Sequence, residues 1–264
     1  AASGEMQSIF EKSAPYTVDD LSTVLSYQSE QMLNVMPLYS NLANTSQVEL
    51  TTTPKYHPIM PLLAMPGWTM EDGIPVEKDA WISDVEDQVS EGLDLFETST
   101  GIRPNGMWPS EQAVSQSIIA PMAENGIQWA VSDKQVLSQS VKSGGGNPSD
   151  ASTMDITSPW VVESGGQEMM MVFRETGISD RISFTYGDMS VEDAVADFIS
   201  QVESRRDDII NAGGNPEDHL LTVAADGENW LFMSGFGSSD NGREFLHSWF
   251  DALQDHPTIR TMTP

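Results

Sequence analysis

The chain has 264 residues, a length that suits one α/β barrel or two small domains and supports a sizeable core. Its 40 acidic residues against 12 basic ones give a formal charge of −28, on a hydrophobic fraction of 39%. That balance disfavours binding to nucleic acid or to anionic membranes, which both call for basic patches, and the absence of Cys excludes disulfides, thiolate metal sites and Cys nucleophiles. Self-repulsion of this size weakens a compact state unless salt screens it. Scarce Lys and dispersed carboxylates fit a surface adapted to high salt, although a very soluble protein from an ordinary source has the same composition. No apolar run reaches the roughly 20 residues that span a bilayer. The start "AASGEMQSIFEK" has neither the basic residues nor the apolar stretch of a signal peptide, so cytoplasm and secretion both stay open.

In chain order, residues 18–44 space Leu21, Val24, Leu25, Met32, Leu33 and Val35 near 3.6 and read as a helix. Asp19 and Asp20 stand at its dipole-favoured start. "QVELTTT" (47–53) is β-rich and reads as a strand ending at Pro54. Residues 77–97 read as an amphipathic helix with Ala80, Trp81, Val85, Val89, Leu93 and Phe96 on one side, which places Trp81 in the core. A helix around 112–125 and a short strand "QWAVS" (128–132) come next, and "SVKSGGGNPSDAS" (140–152) has the composition of a mobile loop. "MMMVFR" (169–174) is an unbroken apolar run, as expected of a strand buried on both faces. A helix at 191–211, a buried strand "HLLTVAAD" (219–226), a helix at 241–254 with Trp249 in the core and a last strand "TIRTMT" complete the set.

Strands alternating with helices indicate a mainly parallel sheet in one α/β domain covering residues 1–264. No Gly-rich phosphate loop follows a strand, since "SGGGNPS" lacks the Lys, and this favours a closed or nearly closed barrel over an open doubly wound sheet. In such barrels functional residues gather where strands end. The polar residues there are His57, Glu111, Asp133, Arg174, Asp226 and Glu228. Each alone reads equally well as a helix cap, an ion-pair partner or a solvated loop residue. "VAADGENWLF" (223–232) is the strongest local signal: an apolar strand runs into Asp226 and Glu228, with Trp230 close behind. Glycoside hydrolysis needs two carboxyl groups, and sugar rings stack on aromatic faces. Glu111 and Asp226 each have a Trp nearby, Trp108 and Trp230. The residues by themselves are compatible with a glycosidase and leave the cap, ion-pair and loop readings open.

The chain also resembles the catalytic barrel of glycoside hydrolase family 57, the α-glucan-active family of amylopullulanases, α-amylases, 4-α-glucanotransferases and branching enzymes. "QVELTTTPKYHPIMPLL" (47–63) is similar to its second conserved region, and "GIRPNGMWPSEQAVS" to its third, followed in place by "MAENGIQWAVSDKQVL" (122–137). "VFRETGISDRISFTY" (172–186) resembles another recurring stretch. "AADGENWLF" resembles the fourth region, and "NGREFLHSWFDAL" the helix after it. The resemblance implies a distorted (β/α)7 barrel, TIM-barrel-like, and a retaining mechanism on an α-glucan or maltooligosaccharide, with α-1,4 linkages as the expected target and α-1,6 linkages left open, and with no metal or other cofactor. By motif position Glu111 would be the nucleophile and Asp226 the general acid/base. His57 would touch the sugar at the point of cleavage, and Trp108 and Trp230 would line subsites. Asp133, Arg174, Asp180 and Glu228 would contact substrate or support those that do. The mechanism asks for an ionised Glu111 with a cation such as Arg174 beside it, and for an Asp226 that starts protonated.

Some features depart from the family pattern. Its first region, a His-Gln-Pro near the first barrel strand, has no counterpart: the four His are His57, His219, His247 and His256. A barrel without its first strand, ending short of the family's usual length, is therefore expected. Gln112 stands where a Gly usually follows the nucleophile. Among competing readings, a polysaccharide deacetylase-like metalloenzyme would need two His at i, i+4 and a partnering Asp, and no H-x-x-x-H occurs. A non-catalytic glucan-binding protein fits the missing first region but not the two retained carboxylates. A purely structural acidic protein leaves the ordered motifs unaccounted for. Glucanotransferases and branching enzymes share the covalent intermediate with hydrolases, and hydrolysis is the expected outcome here.

Overall fold

The computed structural model describes residues 4–69, 73–76, 79–143, 151–227 and 241–263. The chain begins with α1 (Gly4–Phe10), α2 (Val18–Asn44), β1 (Thr51–Thr52), α3 (Met60–Ala64), β2 (Trp68–Thr69) and β3 (Pro75–Val76). It continues through α4 (Ile82–Thr100), β4 (Gly106–Met107), a single 3-10 turn (Ser110–Gln112), α5 (Gln116–Glu124), β5 (Trp129–Asp133) and α6 (Lys134–Ser143). Next are α7 (Thr153–Ile156), β6 (Trp160–Ser164), β7 (Gln167–Arg174), α8 (Thr176–Phe184), α9 (Val191–Asn211) and α10 (Asn241–Asp255).

Side-chain alternation explains how the sheet is covered. On β5, Trp129 and Val131 belong to one apolar cluster and Ala130 to another; on β7, Val172 joins the first while Met171 and Phe173 join the second. Successive side chains of a strand point to opposite faces, so the unbroken run "MMMVFR" means that both faces are covered. The larger cluster is completed by Val85, Val89 and Leu93 of α4, one turn apart, and by Ile118, Ile119 and Met122 on one side of α5. The smaller one is the inner face, where Trp108, Leu220 and Ala224 pack against Trp129, Val131 and Val172. A third cluster joins α8, α9 and α10 through Ile178, Ile182, Phe198, Phe245 and Leu253. There Trp249 stacks on Phe245 at 5.8 Å and meets Phe198 edge-on at 5.0 Å, as expected of a core residue.

The sheet order is β1-β4-β5-β7-β6, with β1, β4, β5 and β7 parallel and β6 antiparallel to β7. Thr222 forms a parallel bridge with Arg174, beyond the stretch of β7 that β6 covers. This is the α/β, distorted (β/α)7 barrel class, in which the described strands form an open arc edged by β1.

Several elements differ from the sequence reading. "QVELTTT" yields only Thr51–Thr52 as strand, "HLLTVAAD" only the bridge at Thr222, and residues 258–263 form no strand. β propensity makes a strand only where a partner's N–H and C=O groups are within reach. α4 starts at Ile82, and Trp81, expected in the core, is its exposed N-cap residue. α2 forms over the expected residues, yet none of it is buried and Leu21, Leu25, Met32 and Leu33 are exposed. The β6–β7 hairpin was not anticipated, although Gly165-Gly166, both at positive φ, is the turn chemistry a two-residue hairpin demands. Of the loop expected at 140–152, residues 140–143 belong to α6, and 144–150 lie outside the described residues.

Candidate active site

The carboxyl ends of the parallel strands carry the chemistry-bearing residues. β4 ends at Met107; Trp108 N–H then donates to Thr52 O of β1 at 2.8 Å, and the chain turns at Pro109. Glu111 (φ 55°, ψ 21°) and Gln112 (φ 57°) follow in the left-handed region, which costs a residue with a Cβ about 1–3 kcal/mol. The turn is clamped from below by Ser132 of β5, whose buried hydroxyl donates to Gln112 O at 2.7 Å. Gln112 is itself buried, whereas the Glu111 side chain keeps 69% of its surface exposed. The fold thus buries the residue after the acid and pushes the acid out. A Gly would adopt φ 57° without strain, which is a physical reason for the family's Gly where this chain has Gln112. These two residues also explain why the expected helix over 112–125 starts only at Gln116.

His57 stands on the loop after β1, at φ 54°. Its Nε2 lies 3.3 Å from Glu111 Oε1, and its Nδ1 lies 2.9 Å from Thr53 Oγ1. α4 supports this loop. Gln88 accepts Lys55 N–H at its backbone oxygen and Tyr56 N–H at Oε1, each at 2.9 Å, and Glu91 pairs with Lys55. Gly92 permits the approach: a Cβ there would sit 2.8 Å from Thr53 O and 3.0 Å from Lys55 N. Neither Thr53, Gln88 nor Gly92 was singled out from sequence; the one available signal was a Gly inside an otherwise regular helix.

On the other flank, Arg174 at the end of β7 donates from Nε to Asp133 Oδ2 at 2.8 Å. Its Nη1 reaches Asp180 Oδ1 at 3.2 Å and Ala224 O at 3.3 Å. Thr176 adds a hydroxyl to Asp133 Oδ2 at 2.7 Å. Burial alone would raise the Asp133 carboxyl, but the Gln135 N–H, the Thr176 hydroxyl and the Arg174 guanidinium outweigh it and hold it below its ordinary value. Glu175 behaves alike: burial pushes up, while Lys134, the Ile178 N–H it caps and Arg205 bring it down. The segment leading to Asp226 is attached to this network. Glu175 N–H donates to Thr222 O at 2.8 Å, and Ala224 N–H donates to Ser179 Oγ at 3.1 Å. Asp226 itself, two residues past Ala224, is half-buried.

The structure therefore joins His57 to Glu111, and joins Asp133, Arg174 and Asp180 to the segment that carries Asp226. The Arg174 guanidinium, expected beside Glu111, instead pairs with Asp133 and Asp180, and the group 3.3 Å from Glu111 is the His57 imidazole. Trp108 is partly buried against the Trp129 cluster on the inner face. Trp230 and Glu228 lie outside the described residues. Among the described residues no group of three or more His, Asp or Glu is arranged to hold a metal ion, and no helix is long and apolar enough to cross a membrane.

A family model for glycosyl hydrolase family 57 matches residues 5–264. No curated protein matches the chain significantly. Among solved structures it is similar to the α-amylase AmyC from Thermotoga maritima, with a TM-score of 0.67 and 13% identity, over 98% of this chain and 59% of that one. The 4-α-glucanotransferase from Thermococcus litoralis gives 0.66 and 18%, over 91% of this chain and 31% of that one. The GH57-type branching enzyme from Pyrococcus horikoshii gives 0.63 and 16%, over 100% and 51%. At these identities the likeness is one of fold, and the chain spans less than two thirds of each of those structures.

Proposed function

The chain belongs to glycosyl hydrolase family 57, and from that premise we propose that it hydrolyses α-glucan chains with retention of configuration, Glu111 acting as nucleophile and Asp226 as general acid/base. The observation that carries the reading is the display of Glu111: an acid held out of a strained, clamped turn at the end of a barrel strand, with an imidazole 3.3 Å from its carboxylate. Strained backbone at a strand's carboxyl end is where catalytic groups concentrate. In the reaction Glu111 attacks the anomeric carbon while Asp226 protonates the leaving oxygen. The bond to the leaving sugar breaks as the glycosyl-enzyme bond forms. Asp226 then takes a proton from water, which attacks the anomeric carbon and releases Glu111. The two carboxyls must stand about 5–5.5 Å apart for this double displacement. The inner face near Trp108 supplies an apolar wall for the sugar rings. The fold neighbours named for amylase, glucanotransferase and branching activities agree with an α-glucan substrate.

The test incubates the protein and its Glu111→Gln and Asp226→Asn variants with maltooligosaccharides, at low and at molar NaCl. The Glu111→Gln turnover is expected to fall at least about a thousandfold, because it removes the group that forms the covalent bond. Proton NMR of the fresh product is expected to show the α anomer. Undiminished activity in both variants overturns the assignment. Longer oligosaccharides among the products identify a transferase, and glucan binding without turnover in any of the three proteins identifies a binding module.

A further inference from the structure

We propose that Thr53 is a positioning residue for the reaction: its hydroxyl fixes the His57 tautomer whose Nε2–H donates to Glu111. The inference rests on the reading of Glu111 as nucleophile, and it assigns a role to a residue outside the carboxylate pair.

The argument starts from what faces each ring nitrogen. Glu111 Oε1 stands 3.3 Å from Nε2, and Thr53 Oγ1 stands 2.9 Å from Nδ1. An ionised carboxylate only accepts hydrogen bonds, so the neutral ring meets it favourably only with the proton on Nε2. Nδ1 then carries a lone pair and needs a donor. A hydroxyl is the side chain that supplies one there and can also rotate to accept when the ring is doubly protonated. The hydrogen bond made by one ring nitrogen sets which proton the other holds. Thr53, His57 and Glu111 thus form a chain in which the hydroxyl donates to Nδ1 and Nε2–H donates to the carboxylate.

The scaffold around Thr53 fits an aiming role. Thr53 immediately follows β1, whose Thr52 O holds the start of the Glu111 turn through Trp108 N–H at 2.8 Å. Thr53 O lies against Gly92 of α4, so closely that a Cβ there would approach to 2.8 Å. His57 N–H donates to Pro54 O at 2.9 Å, and the neighbouring Tyr56 N–H is held by Gln88 at 2.9 Å. The imidazole therefore has little freedom besides rotation about its own side-chain bonds, and the Thr53 hydroxyl restrains that rotation. Fixing a donor on one lone pair of Glu111 aims the other oxygen at the anomeric carbon, the kind of orientation on which reaction rates depend steeply.

The experiment compares Thr53→Val, Thr53→Ser and the unaltered protein. Long-range proton–nitrogen NMR reads the His57 ring, assigned with a His57→Ala control among four His. The expected pattern in the unaltered protein is protonated Nε2 and an accepting Nδ1. In Thr53→Val the two nitrogen shifts move toward each other as the second tautomer gains population, and Thr53→Ser restores them. With a maltooligosaccharide, kcat in Thr53→Val is expected to fall about five- to tenfold, the scale of one hydrogen bond, with KM nearly unchanged and Thr53→Ser recovering most of it. A protonated Nδ1 in the unaltered protein, or nitrogen shifts and kcat the same in Thr53→Val, overturns the proposal. The NMR arm reads Thr53 without any turnover. A failure of the nucleophile assignment appears separately, as undiminished activity in Glu111→Gln.

Discussion

The two proposed carboxylates are mounted in different ways. Glu111 sits on a turn made by local backbone: two left-handed residues, a strand pair on each side of β4, and one buried hydroxyl from Ser132. Asp226 follows a segment whose attachment to the sheet is one bridge at Thr222, and the bonds that fix it come from Glu175 N–H, Ser179 and Arg174. Uncharged groups hold the first mount, whereas one bond of the second comes from Arg174, itself ion-paired with Asp133 and Asp180. The difference suits the proposed roles, since a nucleophile must be aimed while an acid/base must exchange protons with its surroundings in every cycle.

Four measurements break or sharpen this contrast, from the largest effect to the smallest. Arg174→Met leaves Asp133 and Asp180 without their shared cation and frees Ala224 O. The expected result is a fall in kcat/KM of about a hundredfold and a loss of about 2–3 kcal/mol in urea unfolding, below the cost of breaking a fully buried pair because the site is partly wet. Gly92→Ala forces a Cβ against Thr53 O and Lys55 N, and the loop carrying His57 must give way. Its stability is expected to fall by about 1–3 kcal/mol, with kcat down about tenfold. Ser132→Ala removes one hydrogen bond beneath the Glu111 turn, at an expected cost of about 1 kcal/mol and a severalfold drop in kcat. Were Ser132→Ala to cost as much activity as Arg174→Met, the distinction between the two mounts would fail.

The last measurement is acid unfolding. Asp133 and Glu175 are held below their ordinary values of 3.8 and 4.5, so in the folded state they resist protonation more than in the unfolded one. Their contribution to stability is complete above those ordinary values and is lost as the pH falls through the lower folded ones. Melting temperatures measured from about pH 6 down to about pH 3 are expected to drop most steeply at the acid end. In Arg174→Met that drop is expected to shrink, because one cause of the Asp133 depression is gone. An unchanged slope would remove the ion pairs from the account of the Asp226 mount.

Legibility from sequence followed periodicity. α4, α9 and α10 repeat their apolar residues every third or fourth position, and the core needs that spacing in any packing arrangement. β7 was legible because both its faces are covered. α8 went unread: "TGISDRISF" is mostly polar, and its buried Ile178 and Ile182 become a core face only against α9 and α10. Trp81 shows the opposite error, a large apolar residue whose spacing matched the helix but whose place at the cap left it exposed. Glu111 could be picked out as an acid between a strand and a helix. Nothing in "WPSEQAV" announces two left-handed residues, because that conformation is strained for Glu and Gln and persists through the contacts around it.

What the sequence by itself determined is the helix and strand inventory in outline, the acidic composition and the family, and it supplied the two carboxylates of the proposal. Those depend on residue types and on spacings a few positions long. Which partner stands beside which acid was decided only by the tertiary structure. His57 and Glu111 follow the neighbouring strands β1 and β4, whereas Arg174 ends β7 between Asp133 of β5 and the Asp226 segment. Coulomb and hydrogen-bond partners are set by distance in space, and strand order in the sheet, which local sequence does not encode, fixes that distance.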